Sequence, residues 1–587
     1  RVEDNGVEQG LKAALTEVER AKRFGFTQPE LDRAKKSITM MYDRAINEND
    51  KSLSDGYASE LIRHFLVKEP IPGIAFEAAF AKNQLPLITL DEINEFDNTF
   101  LRDSDRAVIV TGPEKEGVTM PTEQRLREIV DDIAKTELQP YVDKAKAFVW
   151  PGDKPTPGKV VKETKDKANG MTVLTLSNGV KVWMKPTDFK NDEVYVAAYS
   201  KGGNSLVSDS DYYSALYAGT LLGESGIANL TKDDMVKAFA GKDVSVKPFL
   251  NTNYEGVTAK GTPKDLETLF QLTNLYFTQA KIDSLATSKF ISKTKVSINA
   301  LKQNPQKFFG SEVAHLLSCN HPRGGGFLSD ADFDKINYKR AEAVLHDRFA
   351  NAADFAFVVV GSFDMDKTKS LLETYIASLP ANSGRETCKD LGIRPPKGNV
   401  EKTVRKGTDP KCMVQLNFTG TGKFTAESDY LLKAMNDVLT INLMGNLREE
   451  KSGTYSVGAR GQLLKYPYEH FVEHISFQCR PENAEKLIQA ALSEVDKLRK
   501  NGVEADVLNK VKVTQKNDLE VNLKDNAYWT TELTNDIVDL NKIEPEAVAL
   551  KRIEHLSSKQ IQQAVKTYFG QNYAKAVLYP ETTSNAN

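Results

Sequence analysis

Two stretches near opposite ends of the chain repeat one another. Residues 15–25 read L-T-E-V-E-R-A-K-R-F-G, and residues 492–502 read L-S-E-V-D-K-L-R-K-N-G. In both, a Leu stands ten residues before a Gly, and the next Leu (Leu31 or Leu508) stands six residues after it. Each is the pattern of an amphipathic helix stopped by Gly, a turn, and the opening of a second helix. The two units also close alike. One ends on Leu90-Asp91-Glu92-Ile93, a helix, a predicted strand at 106–110 and Thr111-Gly112-Pro113-Glu114. The other ends on Ser557-Ser558-Lys559-Gln560-Ile561, a helix, a predicted strand at 574–578 and Tyr579-Pro580-Glu581. A third ending lies midway: a helix at 340–349, a strand at 355–360, the turn Gly361-Ser362-Phe363-Asp364, and a helix to Tyr375 that closes at Leu379-Pro380. Helix, strand and turn recurring at long regular spacing mean stacked copies of one mixed unit.

Between the units lie connectors. Residues 151–167 begin P-G-D-K-P-T-P-G-K and read as an exposed linker, and residues 386–398, ending R-P-P-K-G, read as a second. They divide the 587 residues into 1–150, 168–385 and 399–587. The second piece opens on a predicted hairpin around Ser177-Asn178-Gly179, because Asn-Gly between alternating runs is a strong turn signal. The third opens on a predicted strand at 413–418. The first opens on helix alone, as half a unit without its opening strands. The chain also begins Arg-Val-Glu-Asp, with no Met and no leader pattern, and is expected to be a piece of a longer protein.

Composition narrows the function classes. With 78 Lys and Arg against 81 Asp and Glu, the formal net charge is −3, which gives no basic field for nucleic acid. No apolar run reaches the ~18 residues that a membrane-spanning helix needs. The four cysteines, Cys319, Cys388, Cys412 and Cys479, form no C-x-x-C pair and mark neither a zinc knuckle nor a disulfide scaffold.

Two constellations could carry chemistry. The first is the literal string H-x-x-E-H at 470–474. On a helix it would place two imidazoles on one face with a Glu beside them, a zinc-chelating geometry. Here Phe471, Glu473, Ile475, Phe477 and Cys479 alternate with polar residues, which is the period of a strand. Residues four apart on a strand are about 13 Å apart, too far to share one ion. No metal site is therefore expected here, nor at His64, His315, His321, His346 or His555, which lack ligand spacing. The second constellation is 447–457, L-R-E-E-K-S-G-T-Y-S-V. Arg448 falls at the end of an apolar-periodic helix and Tyr455 at the start of a strand. A guanidinium offers forked donors to a carbonyl or carboxylate, and a phenol can donate to a developing oxyanion.

This last segment resembles the C-terminal half of the pitrilysin/insulysin-type zinc metallopeptidases, the inverzincins, in which Arg and Tyr stand at the same spacing. The resemblance extends along nearly the whole chain. The 340–380 ending is similar to theirs, and 173–204, with T-L-S-N-G-V-K-V-W and S-K-G-G-N, is similar to the start of one of their repeat units. It implies an α+β fold of repeated metallopeptidase-like domains, of the kind seen in LuxS and mitochondrial processing peptidase. Each domain would be an antiparallel-rich mixed sheet with helices on one face.

By the same resemblance, 1–150 is the later part of a second domain. Residues 168–385 are a third, metal-free copy, whose helix at 215–222 has no His or Glu at ligand positions. Residues 399–587 are a fourth copy. Arg448 and Tyr455 are then the catalytic and substrate-binding pair, facing a peptide in a closed two-half chamber hinged near 151–167. Zinc would be held upstream of Arg1 and not in this chain. The implied partners are a peptide or unfolded protein and the N-terminal half of the same protein. Bacterial relatives imply an exported or periplasmic location. The alternative is a non-catalytic processing partner or scaffold that binds without cleaving.

Overall fold

The structure is a computed structural model that describes every residue except 1, 3–4, 102–105, 113–115, 451–453, 541 and 582–587. The helix–glycine turns at 25 and 502 have the same backbone. Gly25 ends the helix Val7–Phe24 at φ 67°, ψ −171°, and Gly502 ends the helix Ala484–Asn501 at φ 74°, ψ −164°. Glycine adopts positive φ without the steric penalty of a side chain. A Cβ would moreover strike Asn94 at the first position and Ser558 at the second. Those two residues belong to the later helices Leu90–Phe100 and Ser558–Tyr568, each opened by a capping box, Thr89 with Glu92 and Ser557 with Gln560. Asn94 accepts the N–H of Phe26, and Ser558 accepts that of Val503. The same turn is thus pinned by the same later helix in both copies.

Among the described residues twelve strands form two sheets. The first holds β1 (Val160–Asp166), β2 (Met171–Leu176), β3 (Lys181–Pro186), β4 (Val194–Lys201), β5 (Val244–Leu250), β6 (Tyr254–Gly261) and β7 (Ala356–Gly361), in the order β1-β2-β3-β7-β4-β6-β5. The second holds β8 (Val400–Arg405), β9 (Cys412–Thr421), β10 (Thr454–Leu464), β11 (His470–Cys479) and β12 (Ala574–Tyr579), in the order β10-β11-β9-β12-β8. Read from β3, the first sheet is β3-β7-β4-β6-β5. Read from β8, the second is β8-β12-β9-β11-β10. These are one topology. In each, the single parallel pairing joins the opening strand to the closing one, β3 with β7 and β8 with β12, and the other pairings are antiparallel. Each sheet carries its own helices on one face, over cores centred on Phe270, Phe357 and Leu222 in the first and on Phe418, Leu439 and Ile561 in the second.

The other face of each sheet is covered by the neighbouring unit. Helix Asn526–Asn535, from the last unit, lays Trp529 and Leu533 on Ala197, Val358 and Val360 of β4 and β7. Helix Pro305–Leu317, from the middle unit, lays Phe309 and Val313 on Val404, Ala576 and Leu578 of β8 and β12. The two helices hold the same place in their units. Each follows a long helix (Ser284–Gln303 or Ala505–Asn522), and each is capped by a side chain, Asn304 on the N–H of Lys307 or Asp525 on that of Tyr528. The Lys185 ammonium sits 3.8 Å from the Trp529 ring centre, and Asn526 bonds Thr187 and Glu193. Across the other contact Lys402 pairs with Glu312 at 2.7 Å.

Two expectations change. Residues 160–166, read as the second half of a linker, are β1, paired along β2. Residues 106–110, read as a strand, have no strand pairing, and Ile109 is 85% exposed. A strand needs a ladder partner for its N–H and C=O groups, and no described strand reaches it. The closing Pro113-Glu114 of that unit lies outside the described residues. Each unit's own helices keep to one face, as expected, and a helix of the neighbouring unit covers the other. The 386–398 connector is laid down rather than free, with Glu386 on Arg348 at 2.6 Å, Lys389 N–H on Ser205 and Arg394 stacked 3.7 Å from the Tyr468 ring.

Trp529→Ala removes the centre of one exchanged contact and is expected to destabilise the chain by about 3–5 kcal/mol. Hydrogen exchange mapped by peptide should rise at β4 and β7, in the other unit. A rise confined to residues near 529 would contradict the reciprocal packing.

Candidate functional site

Arg448 and Tyr455 flank one short connection. Helix Ala426–Leu443 continues into the wider turn Met444–Glu450, which contains Arg448, and β10 opens at Thr454, so Tyr455 is its second residue. The expected placement, helix end and strand start, holds for the backbone. The side chains of both residues and the residues 451–453 between them lie outside the described set.

Around them, three contacts fix the connection. Leu447, immediately before Arg448, is fully buried in the core of the last unit. Asn442 and Asn446 both donate to the Glu494 carboxylate, at 3.3 and 3.2 Å, which ties the turn to helix Ala484–Asn501. On the strand side, the Thr440 hydroxyl accepts the N–H of Ala459 at 3.0 Å and so joins the helix leading in to the strand leading out. The ladder between β10 and β11 also changes register between Thr454 and Val457, so Tyr455 and Ser456 fall within a bulge. A bulge inserts an extra residue, bends the strand and re-aims side chains, and such bulges are frequent beside functional sites. β10 is the outermost strand of its sheet.

Further along the same sheet lies a buried carboxyl that the sequence reading did not single out as a site. Glu473 of β11 is fully buried under helix Ala426–Leu443 and accepts from Asn436 Nδ2 at 2.9 Å and from the His474 N–H at 3.1 Å. Gly461 of β10 leaves its space: a Cβ there would lie 1.9 Å from Glu473 Oε2. Burial pushes the carboxyl up to about 8. The other copy has the same feature at the same ladder position. Glu255 of β6 stands opposite Ser200 as Glu473 stands opposite Phe418, is also fully buried, and is pushed up by burial to about 7. The signal was present in the sequence, since Glu473 shares the phase of Phe471, Ile475 and Phe477.

The H-x-x-E-H string lies on β11, as its period indicates. Glu473 faces the core, while His470 and His474 lie half-buried on the opposite face. His470 stacks on Tyr468 at 4.1 Å and its Nδ1–H donates to the Tyr468 carbonyl at 2.7 Å. Burial pushes both imidazoles down. A donor set split across two faces of a strand does not fit zinc. Among the described residues no group of three His, Cys, Asp or Glu side chains could hold a metal ion. Helix Tyr212–Ser225, which contains the 215–222 segment, buries Ala215, Ala218 and Leu222, and its Gly219 lies against the backbone of Pro248 and Phe249. This face is packing surface.

Residues 343–514 match the peptidase M16 inactive domain. The whole chain is similar to a zinc protease PQQL-like protein of Arabidopsis thaliana, 25% identical over 88% of this chain and 53% of that one. It is similar also to the probable zinc protease PqqL of Haemophilus influenzae, 22% identical over 83% of this chain and 52% of that one. The chain is thus similar to the M16, pitrilysin-type zinc proteases. Solved structures share its fold. The periplasmic protease PqqL of Escherichia coli superimposes with TM-score 0.67, 18% identity and 99% of this chain on 64% of that one. The ferredoxin protease FusC, solved with Arabidopsis ferredoxin, gives 0.70, 17% and the same shares. The chain spans about half the length of the curated relatives it matches.

The raised Glu473 carboxyl makes a signed prediction. Its folded pKa exceeds its unfolded value, so its contribution is complete below about 4.5 and is lost as pH rises toward 8. Glu473→Gln mimics the protonated form. Its unfolding free energy should match wild type near pH 5 and exceed it at pH 8 by on the order of a few kcal/mol. Equal offsets at both pH values would contradict the assignment.

Proposed function

We propose that this chain is the substrate-binding portion of a zinc metalloendopeptidase that cleaves peptides or proteins within a chamber closed by a second half. Tyr455 donates its phenolic hydrogen to the carbonyl oxygen at the bond to be cut, and Arg448 holds neighbouring backbone carbonyls with its forked N–H groups. The observation that carries this reading is the pairing of a helix end and a bulged edge strand at one connection, in a chain whose relatives are named zinc proteases. An outermost strand such as β10 has main-chain groups free to pair with an extended peptide. Zinc, in this reading, is held by residues outside this chain; among the described residues no three donor side chains group to hold it. An exported location follows the E. coli relative, which is described as periplasmic.

The domain division follows the same logic. Residues 1–150 belong to a second domain, 168–385 to a third and 399–587 to a fourth. Helix Ser54–Val67 supports this. It follows the long helix Gln28–Asn47 as the two exchanged helices follow theirs, yet none of its residues is buried, and Leu61, Phe65 and Leu66 are 59%, 74% and 69% exposed. Its counterparts each cover the outer face of a neighbour's sheet. The N-terminal half of the protein supplies such a sheet here. A non-catalytic partner that binds without cleaving is the competing reading, and the description of the matched family as an inactive domain is compatible with it. Peptidase activity of the complete protein separates the two.

In the complete protein, Tyr455→Phe should lower kcat/KM by about 10²- to 10³-fold with little change in stability. Unchanged turnover would remove Tyr455 from the mechanism. A cysteine placed at Phe65 should react with iodoacetamide in this chain and be protected in the complete protein. Equal reactivity in both would contradict the docking of helix Ser54–Val67.

A further inference from the structure

One rung of the second sheet carries a pair that nothing in the peptidase reading uses. In the first sheet, Val194 of β4 stands opposite Gly261 of β6. At the same rung of the second, Cys412, the first residue of β9, stands opposite Cys479, the last residue of β11. Both side chains are buried, at 0% and 4% exposure, in the core of the last unit. They lie side by side on one face of the sheet, in the same core. Directly opposed residues of an antiparallel pair have Cα atoms roughly 4.5–5.5 Å apart, inside the range of about 4.4–6.8 Å that a disulfide spans.

The remaining cysteines are differently placed. Cys319 is exposed, and Cys388 is half-buried with its S–H directed at the Asn253 carbonyl at 3.1 Å. Neither is a rung partner of another cysteine.

We propose that Cys412 and Cys479 form a cross-strand disulfide when the protein matures in an oxidising compartment. The oxidant is a small disulfide of the glutathione type or a disulfide oxidoreductase. The Cys479 thiolate attacks one sulfur of that disulfide and releases one thiolate. The Cys412 thiolate then attacks the Cys479 sulfur of the mixed disulfide and releases the second. Two protein thiols lose two protons and two electrons, one protein S–S bond forms, and one external disulfide is reduced to two thiols. The exchange runs on the folding chain, before the sheet buries both sulfurs. Each cysteine is flanked by an exposed residue, Lys411 or Arg480, so the pair sits at the rim of the sheet.

The bond has a structural consequence. Cys479 is also the rung partner of Thr454, the residue before Tyr455. The staple therefore fastens β9 to β11 at the end where β10 begins, below the bulge. By closing a long loop it restricts the unfolded chain, and so stabilises the last unit.

The test uses this chain exported to a bacterial periplasm, alkylated under denaturing conditions and digested without reductant. Expected are one linked peptide pair containing Cys412 and Cys479, and two alkylated cysteines, Cys319 and Cys388. Dithiothreitol should lower the melting temperature of this preparation by roughly 5 °C or more, and Cys412→Ser should abolish that response. Four alkylated cysteines, or a link involving Cys319 or Cys388, would overturn the proposal. A linked pair whose reduction leaves the melting temperature unchanged would overturn the stapling role.

Discussion

The architecture depends on an exchange of helices between two copies of one unit. β7 is apolar on both faces: Phe357 and Val359 face its own helices, while Val358 and Val360 face the other way. In β12, Val577 faces inward and Ala576 and Leu578 outward. A sheet apolar on both sides requires a layer on each. Each unit's own helices make one layer, and a single helix from the neighbour makes the other. Neither unit can then part from its neighbour without exposing the second face of its central strands. Tyr254 to Asp539 at 2.7 Å and Lys201 to Tyr466 at 3.0 Å add polar contacts along the same seam.

This rigidity bears on the candidate site. The connection from Arg448 to Tyr455 belongs to the unit fastened at β8 and β12 by helix Pro305–Leu317. Its two flanks are held from below by Leu447, by the Asn442–Glu494–Asn446 bridge and by the hydroxyl of Thr440. The buried Glu473 joins helix Ala426–Leu443 to β11, and Gly461 makes room for it. A buried glutamate recurs at one rung of both sheets, although the contacts differ: Glu473 takes Asn436 and Glu255 takes the N–H of Gly203.

Much of the fold was legible because glycine and period speak locally. Gly25 and Gly502 mark the same turn because only a residue without a side chain fits positive φ and the close approach of the later helix. The period-two run at 470–479 marked a strand and excluded a two-histidine metal face. The hairpin at Ser177-Asn178-Gly179 was legible for the same reason. What was not legible depended on partners. Residues 106–110 have strand composition but no neighbour to pair with, and 160–166 have linker composition but lie along β2. The helix exchange was hidden because Trp529 and Phe309 look like ordinary core residues until the sheet beneath each is known to belong to the other unit. For the candidate site, sequence marked the Arg448 and Tyr455 connection, while the bulge, which is a property of two strands in register, needed the ladder.

The most direct test of the account is a crystal structure of the complete protein, with hydrolysis blocked, holding an uncleaved peptide. The account places the peptide main chain along β10, with its scissile carbonyl oxygen within hydrogen-bond distance of the Tyr455 hydroxyl and a neighbouring carbonyl on Arg448. A peptide seated elsewhere in the chamber, with both side chains turned away from it, would contradict it.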